Sequence, residues 1–447
     1  MMEGYIVKRE ALLLIFVFFS CLIISEAVTA ADFGVAVVNN SANQSHPDVY
    51  GSKVVWTDER NGNPDIYMKD LATNHEVPVT TNTAIQRNPK ISGNIVVWQD
   101  FRKGNWDILM KNLKTNKVTT VCTHPSTQIN PAIYGYRVVW QDLRNGNWDI
   151  YTKNLMTGIT SRVTNNNADQ VNPAISGNRV VWMDQRYGHW DILVKNFANG
   201  ASGNVKVNSH NKYNPSISGN VVVWQENRFN IHYNIWMKNI VSGTEKQVSR
   251  EMYEHMKSYG NQINPKISGN TVVWSTLESD GVGDWYDIWM ANITGTAIVH
   301  VCSNVNYRQY PAINGNRIVW QNTGYVLHDW NTNSDIYTKT FWPLYFETTP
   351  KDMEMLYPKT QDIIIRFSEP IKTGTNFQSI TVTDSDTNTL TAIKKTISGS
   401  VLTLHNIVGK IAGHTYNVFI PETSVKDSNN RTLLNDIMFW FRTTPEL

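Results

Sequence analysis

The chain has 447 residues and contains 40 lysines and arginines against 38 aspartates and glutamates, so its formal net charge is +2. A charge this close to zero gives no strong field, which argues against nucleic acid or an anionic membrane surface as a partner. Charged residues make up only 17% of the chain, below the usual quarter. This is the composition of a folded protein that is long enough to bury a full core.

The first 30 residues have the organisation of a secretory signal peptide. Lys8 and Arg9 precede an apolar run at residues 11–24, and small residues suited to cleavage follow as far as residue 31. The run is short for a membrane span and Glu26 follows it closely, although an uncleaved anchor stays open as an alternative. We therefore predict an extracellular or cell-surface protein without a transmembrane segment in its mature part.

Residues 33–341 repeat one pattern. Short β-branched and aromatic runs alternate with turn-forming Asn, Pro and Gly, and no helical periodicity is present. Four such runs per copy match the four strands of one propeller blade, whose usual length is about 40 to 45 residues. Copies aligned on the tryptophan of the Val-Val-Trp or Ile-Val-Trp step are spaced by 42, 42, 42, 42, 50 and 46 residues. These tryptophans are Trp56, Trp98, Trp140, Trp182, Trp224, Trp274 and Trp320.

The two ends of the repeat region complement each other. Residues 37–47 match the fourth strand and connection of a complete copy at residues 163–173, whereas the seventh copy ends after residues 335–339 without a fourth strand. We predict that the first strand of the mature chain completes the last blade, which closes the ring and hides its sheet edges.

The repeat, written N-P-x-I-S-G-N-x-V-V-W-x-D-x-R-x-G-N-x-D-I-Y-x-K-N-L-x-T-G, resembles the TolB-type β-propeller repeat. It is most similar to the variety found in cell-surface proteins of methanogenic archaea. This resemblance implies a seven-bladed propeller at the cell surface and implies little about ligand or activity.

A different pattern begins at residue 345, and its short strand-like runs predict a β-sandwich of about a hundred residues. The segments I-I-I-R-F-S-E-P-I, H-T-Y-N-V, V-K-D-S-N-N and F-R-T-T resemble the Ig-like domain of prokaryotic surface-layer proteins, which usually serves as a spacer or stalk. The predicted fold is therefore all-β. A seven-bladed propeller at residues 31–344, closed by its N-terminal strand, is followed by a small Ig-like sandwich at residues 345–447.

Each of the first four copies places Asp, Arg and Asp around the loop between its second and third strands, as in Asp142, Arg144 and Asp149. An Asp and an Arg two apart on a strand end point the same way and can tie the turn. Calcium ligation is the alternative. We predict a structural role, since a site repeated in every blade is more often architecture than catalysis. No cofactor is predicted beyond that calcium alternative, and Cys122 and Cys302, in blades that are not neighbours, should not form a disulfide.

Copies five to seven depart from the repeat through insertions. The tryptophan and the Asp of the Asp-Ile step are nine residues apart in copies one to four, thirteen in copy six and fifteen in copy seven. Copy five has seven extra residues in its connection to copy six. These loops and the blade connections lie on the same face of a propeller, so the insertions cluster on three adjacent blades.

The inserted segments interleave aromatic residues with carboxylates, which suits carbohydrate or peptide capture by stacking and hydrogen bonding. Loop residues that merely pack on one another are the alternative. The candidate ligand-binding residues are Tyr253, His255, Glu278, Asp280, Asp284, Trp285, Tyr286, Tyr325, His328 and Trp330.

No catalytic residues are assigned, because the sequence lacks His-Glu-x-x-His, Gly-x-Ser-x-Gly and Cys-x-x-Cys motifs. The segment that begins at Asp384 starts like a calcium loop but departs from it, and we interpret it as a polar hairpin turn. The predicted function is a non-catalytic surface or secreted binding module for a cell-envelope polymer, a glycan or a surface protein. A secreted polysaccharide hydrolase or lyase that uses carboxylates on the same face is the alternative. Glycosylation sequons occur at Asn39, Asn43, Asn292 and Asn430.

Overall fold

The computed structural model describes residues 34–445, with gaps at residues 39, 207, 229–231, 250–252, 255–256, 280–282, 295–297, 303–305, 325–332, 342–345, 352–353, 368–369, 407–409, 422, 428–431 and 434–436. Within the described residues the regular structure is β-strand, apart from one 3-10 turn at Phe377–Ser379. The all-β prediction is therefore confirmed. The predicted signal peptide lies outside the described residues.

Among the described residues, the propeller consists of seven successive units of antiparallel strands, which we number 1 to 7 in chain order. In units 1 to 5 each set of four strands forms its own sheet. Units 6 and 7 share one larger sheet, because Tyr286 of unit 6 pairs with Tyr307 of unit 7.

The strands of the first three units follow β1 Val35–Val38. They are β2 Gln44–Tyr50, β3 Lys53–Asp58, β4 Asp65–Asp70 and β5 His75–Pro78 in unit 1; β6 Gln86–Ser92, β7 Ile95–Asp100, β8 Asp107–Asn112 and β9 Lys117–Cys122 in unit 2; and β10 Gln128–Tyr134, β11 Arg137–Asp142, β12 Asp149–Asn154 and β13 Thr160–Arg162 in unit 3.

The later units include the longer strands. They are β14 Gln170–Ser176, β15 Arg179–Asp184, β16 Asp191–Asn196 and β17 Ser202–Asn204 in unit 4; β18 Lys212–Ser218, β19 Val221–Glu226, β20 Asn234–Asn239 and β21 Glu245–Gln247 in unit 5; a short β22 Tyr253–Glu254, then β23 Lys257–Ser268, β24 Thr271–Ser279, β25 Asp284–Asn292 and β26 Ile298–Cys302 in unit 6; and β27 Tyr307–Asn314, β28 Arg317–Thr323 and β29 Ser334–Thr340 in unit 7.

The first strand of each unit contains a bulge at the residue before proline. In β10 this residue is Asn130, with φ of +51°, and the pairing with β11 shifts register between Ile129 and Ala132. Asparagine tolerates this left-handed conformation better than most residues, and the following proline disfavours a helical one. The Asn-Pro step therefore bends the inner strand of the repeat at the propeller axis.

Apolar clusters fill the space between successive units. Val97 and Ile108 of unit 2 share a cluster with Trp140 of unit 3, and Val319 of unit 7 shares one with Trp56 of unit 1. The first strands β2, β6, β10, β14, β18, β23 and β27 contact one another in this order, and β27 also contacts β2. The units therefore form a closed ring in which buried tryptophans lie at the interfaces.

Strand β1 supplies the fourth strand of unit 7. It pairs antiparallel with β29, with Val35 opposite Thr338. The carbonyl of Val37 accepts a hydrogen bond from Lys69 Nζ of the next unit at 2.8 Å. Equivalent bonds join Lys111 to Val79, Lys153 to Val121, Lys195 to Val163 and Lys339 to Val301. The predicted closure of the ring by the first strand is confirmed.

Strand register puts the start of the first strand, the end of the second and the start of the third on one face of the ring. In unit 3, Gln128 lies opposite Asp142, which lies opposite Asp149. The loops between second and third strands and the connections between units therefore share this face, which we call the insertion face.

The C-terminal part contains two main sheets. One consists of β30 Phe346–Thr349, β32 Ile363–Phe367, β36 Ile393–Ser398 and β37 Val401–Asn406; the other consists of β31 Glu354–Tyr357, β34 Thr381–Asp384, β35 Thr389–Leu390, β38 Thr415–Ile420 and β40 Ile437–Thr443. Strands β33 Lys372–Thr373 and β39 Val425–Lys426 pair with each other. Apolar residues of both sheets, such as Ile365 and Phe441, form one core. This is the predicted sandwich.

Candidate functional site

Units 1 to 4 carry the same polar clamp at the end of the second strand. In unit 3 the buried Asp142 accepts a hydrogen bond from Trp140 Nε1 at 2.9 Å, and Arg144 binds both of its oxygens at 2.8 and 2.6 Å. The same pairs are Asp58 with Arg60, Asp100 with Arg102 and Asp184 with Arg186. Each clamp carboxylate is occupied by nitrogen donors, which agrees with the predicted structural role.

Unit 6 departs from this clamp at both positions. Register places Thr276 where unit 3 has Asp142, and Glu278 two residues later where unit 3 has Arg144. Trp274 Nε1 donates to Thr276 Oγ1 at 3.0 Å, so the tryptophan keeps an acceptor. A carboxylate therefore replaces a guanidinium at this position of unit 6.

The substituted position belongs to a buried group of charged residues. Asp287 lies in β25, at the position of Asp149 in unit 3, and is almost fully buried. It accepts a hydrogen bond from Arg308 Nη1 at 2.6 Å and one from Trp285 Nε1 at 3.3 Å. His300 Nε2 lies 3.0 Å from Asp287 Oδ2 and 3.8 Å from Glu278 Oε1. We call Glu278, Asp287, His300 and Arg308 the unit 6 cluster.

Aromatic residues fix the geometry of this cluster. Trp289 Nε1 donates to Glu278 Oε1 at 3.0 Å, and its ring stacks on that of His300 with centroids 4.2 Å apart. Arg308 enters from the first strand of unit 7 and donates through Nε to Asn322 Oδ1 at 3.2 Å. The cluster is thus built from β24, β25 and β26 and from the adjoining unit.

Two pairs of neighbouring aromatic side chains lie on units 6, 7 and 1. The ring centroids of Tyr286 and Tyr307 are 6.3 Å apart, and those of Tyr310 and His46 are 4.7 Å apart. Tyr286, Tyr307 and His46 are half-buried, while Tyr310 is 40% exposed. We call these four residues the aromatic row.

The aromatic row interrupts a chain of asparagines around the propeller axis. Asn130 Nδ2 donates to Asn172 Oδ1 at 3.1 Å, and equivalent bonds extend from Asn88 to Asn264 across units 2 to 6. His46 and Tyr310 occupy the corresponding left-handed position in units 1 and 7. Stackable rings thus replace amides on two adjacent units.

Burial and nearby charges shift the pKa values in this row. Burial lowers the pKa of His46 to about 4, and the positive charges of Lys90 and Arg87 add to the effect. Burial, followed by the charge of Asp284, raises the pKa of Tyr286. At neutral pH the imidazole of His46 is therefore neutral and the phenol of Tyr286 is protonated.

Four of the predicted ligand residues lie on described parts of the β24–β25 hairpin. Asp284 is exposed, Tyr286 is half-buried, and Glu278 and Trp285 are buried. Trp285 Nε1 donates a hydrogen bond to Asp287 Oδ2 at 3.3 Å. Tyr253 lies in β22, and its side chain is outside the described structure, as are His255, Asp280, Tyr325, His328 and Trp330.

The predicted sequons differ in accessibility. Asn43 is exposed, and its Oδ1 accepts a hydrogen bond from the Ser334 amide at 3.3 Å. Asn292 is buried, with its Oδ1 bonded to the amide of Thr294 at 2.7 Å, so no room is available at its amide nitrogen for a glycan. Asn43 stays a predicted glycosylation site, and Asn39 and Asn430 lie outside the described residues.

Two groups among the described residues have ligand atoms spaced closely enough for one metal ion. The first comprises Glu278, Asp287 and His300 of the unit 6 cluster, and neither group lies at the repeated Asp-Arg clamps. The second, Asp384 with Asp386 and His414, lies at the β34–β35 hairpin. There Asp384 Oδ1 accepts the amides of residues 386 and 387, which is the hydrogen bonding of a polar turn.

Comparison with known proteins supports both parts of the fold. Residues 343–443 match the family model described as a bacterial Ig-like domain. The C-terminal part is an Ig-like domain. No curated protein sequence matches the chain.

Solved structures resemble the propeller. An oligogalacturonate lyase from Vibrio parahaemolyticus has a TM-score of 0.52 at 10% identity, over 69% of this chain and 93% of the lyase. The β-propeller domain of the Trilobed protease from Pyrococcus furiosus has a TM-score of 0.51 at 11% identity, over 67% and 94% of the two chains. A putative TolB from Agrobacterium tumefaciens has a TM-score of 0.39 at 17% identity, over 48% and 86%. At these identities the likeness to the lyase and to the protease domain shows the propeller fold alone.

Sequence reasoning located the β24–β25 hairpin but missed most of what surrounds it. His300 and Arg308 join the cluster from the fourth strand and from the next unit, and no motif links them to Glu278. The repeat alignment did contain a signal for the aromatic row. His46-Pro47 and Tyr310-Pro311 replace the Asn-Pro step that five units retain.

Proposed function

We propose that this chain is a binding module of the cell surface or the secreted fraction, and that it binds its ligand on the insertion face around units 6, 7 and 1. One observation carries the proposal. The repeated clamp is retained in units 1 to 4, whereas the aromatic row and the unit 6 cluster replace repeat residues on adjacent units.

A carbohydrate of the cell envelope is the ligand class that fits this surface best. Half-exposed tyrosine rings offer flat apolar faces together with hydroxyl groups, a combination that suits stacking on sugar rings. The exposed Asp284 beside Tyr286 adds a hydrogen-bond acceptor. A protein ligand of the surface, rich in exposed apolar and hydroxyl groups, would use the same features.

An extracytoplasmic location is supported by the Ig-like domain, since such domains occur widely in exported proteins, and by the predicted signal peptide. The part of the chain that the structure describes contains no candidate membrane-spanning helix. Cys122 and Cys302 are both buried free thiols and do not form a disulfide with each other.

A polysaccharide lyase or hydrolase is the second candidate. The carboxylates of Glu278 and Asp287 lie near each other, as acid and base groups must, and a similar propeller is an oligogalacturonate lyase. Against this, both carboxylates are buried and engaged by Trp and Arg nitrogens, which leaves a substrate no direct approach to them. The binding module is therefore preferred.

A polysaccharide retention assay with simultaneous product detection tests the proposal. The purified chain would be passed over immobilised envelope and extracellular polysaccharides, and the eluate assayed for new reducing ends and unsaturated sugars. We expect retention without products. Release of products would support the enzyme, and the absence of both retention and products across the panel would contradict the carbohydrate assignment.

A further inference from the structure

We propose that Glu278, Asp287 and His300 form a binding site for one divalent transition-metal ion, of which Zn²⁺ is the best match. This site contains none of the residues of the aromatic row, and its occupancy can be measured whether or not a polysaccharide binds. The three ligands come from β24, β25 and β26, so a bound ion would join three neighbouring strands of unit 6.

The distances among the donor atoms suit a single ion. His300 Nε2 lies 3.0 Å from Asp287 Oδ2 and 3.8 Å from Glu278 Oε1. Zinc binds nitrogen and carboxylate oxygen at about 2.0–2.2 Å, so donors at these separations subtend angles of about 90° and 130° at the ion. These angles bracket the tetrahedral value. All three donor atoms lie within 4.8 Å of one another.

Unit 3 has arginines at two positions that correspond to members of this cluster. In unit 3 the residue aligned with Glu278 is Arg144, and the residue aligned with His300 is Arg162, whose Nη2 contacts Asp149 at 2.7 Å. Unit 6 replaces both guanidinium groups with metal-ligating side chains while it keeps the acceptor, Asp287. Arg144 pairs with Asp142, which is Thr276 in unit 6, so a metal ion at Asp287 would supply the positive charge that Arg162 provides in unit 3.

Cationic or cation-binding groups face the buried Asp287. Arg308 Nη1 pairs with one of its oxygens at 2.6 Å, and His300 Nε2 lies 3.0 Å from the other. Buried charges are stable only when they are paired or coordinated. A proton on His300 Nε2 is the competing occupant of this position, because a metal ion binds imidazole only in its neutral form.

The ligand types select the class of metal. Imidazole suits zinc and other first-row transition ions, whereas Ca²⁺ and Mg²⁺ prefer sites made of oxygen atoms. The surrounding groups act as outer-sphere supports of the kind that orient metal ligands. Trp285 and Arg308 hold Asp287, while Trp289 donates to Glu278 and stacks on His300.

Metal analysis of the tag-free full chain tests this proposal. The chain would be stripped with EDTA, dialysed against micromolar Zn²⁺ with excess Mg²⁺ and Ca²⁺, and its bound metal measured by plasma mass spectrometry and by titration calorimetry. We expect one equivalent of zinc and a higher melting temperature on zinc addition. Less than a tenth of an equivalent, or a melting temperature that zinc does not raise, would overturn the site.

Three variants locate the ion. His300→Gln and Glu278→Gln should each weaken zinc binding by more than the roughly 10–100-fold typical of outer-sphere changes, since each removes a direct ligand. His414→Gln disrupts the second histidine-containing group and serves as the matched control. Circular dichroism of each stripped variant shows whether it is folded, and a misfolded His300→Gln is replaced in the comparison by the isosteric Glu278→Gln. Retention of zinc by the unit 6 variants, or its loss from His414→Gln alone, would contradict the assignment.

Discussion

Replacing Gly34 with alanine should disrupt the closure of the ring. The new Cβ would lie 2.4 Å from Cη2 and 2.7 Å from Cζ2 of Trp320, whose ring is fully buried and cannot move aside. Gly34 also has φ of +73°. A left-handed residue with a Cβ costs about 1–2 kcal/mol, and overpacking of a core costs about 1–3 kcal/mol more. The expected destabilisation is therefore about 2–5 kcal/mol.

The loss has an upper limit, because β1 can detach from unit 7 instead of tolerating the clash. Detachment exposes Val37 and Val38, each worth about 1.5–3 kcal/mol when fully buried. Detachment of β1 thus limits the destabilisation to about 3–6 kcal/mol, which is close to the strain energy expected for the attached strand. The Gly34→Ala variant should consequently expose its N-terminal segment to proteases at lower denaturant concentrations than the parent chain.

Gly135→Ala is the matched control for this variant. Gly135 has φ of +56°, and a Cβ there would meet no atom within 4 Å, so only the backbone cost of about 1–2 kcal/mol applies. Urea unfolding followed by tryptophan fluorescence would compare the midpoints of both variants with that of the parent chain. Equal shifts for the two variants would refute the docking of β1 beside Trp320.

Three further predictions follow from buried polar groups. Because the pKa of His46 is lowered from 6.5 to about 4, its contribution to stability is complete above pH 6.5 and is lost as the pH falls toward 4. His46→Asn, which restores the repeat residue, should therefore reduce the stability difference between pH 7 and pH 4 by up to about 3 kcal/mol, and an unchanged difference in urea unfolding would contradict this. Asp142→Ala should cost about 2–4 kcal/mol, somewhat below the value for a fully buried pair because Arg144 is partly exposed, without loss of polysaccharide retention. Burial raises the pKa of Cys302 to about 12 and also raises that of Cys122, so a disulfide reagent at pH 8 should label neither thiol until the chain is unfolded.

The architecture could be predicted because the same four-strand pattern recurs many times along the sequence. The spacing of the tryptophans and the incomplete seventh copy were enough to predict that β1 pairs with β29. The contact between Asp142 and Arg144 could likewise be predicted, since both residues lie within one hairpin. These contacts join residues that are close in the sequence, so the sequence pattern alone indicates them.

The site was less predictable because its contacts are not local. His300 reaches Asp287 across a strand pair, and Arg308 reaches it from the next unit. Trp285 belongs to an inserted segment and was a candidate ligand residue, yet it lies in β25, where it pairs with Glu278, and its buried ring donates to Asp287. Whether a ring faces solvent depends on hairpin length and twist, which the residue type does not reveal.

The central claim is that departures from the repeat, and not the repeat itself, form the ligand surface. Affinity electrophoresis in the polysaccharide that retains the chain best tests it most directly, with Tyr286→Ala and Tyr310→Ala compared against Tyr136→Ala and Tyr187→Ala. All four tyrosines are at least partly exposed, but Tyr136 and Tyr187 belong to units 3 and 4. Loss of a stacking ring should weaken binding about tenfold, or about 1.4 kcal/mol, in the first pair and leave it unchanged in the second. Equal affinity for all four variants would contradict the account.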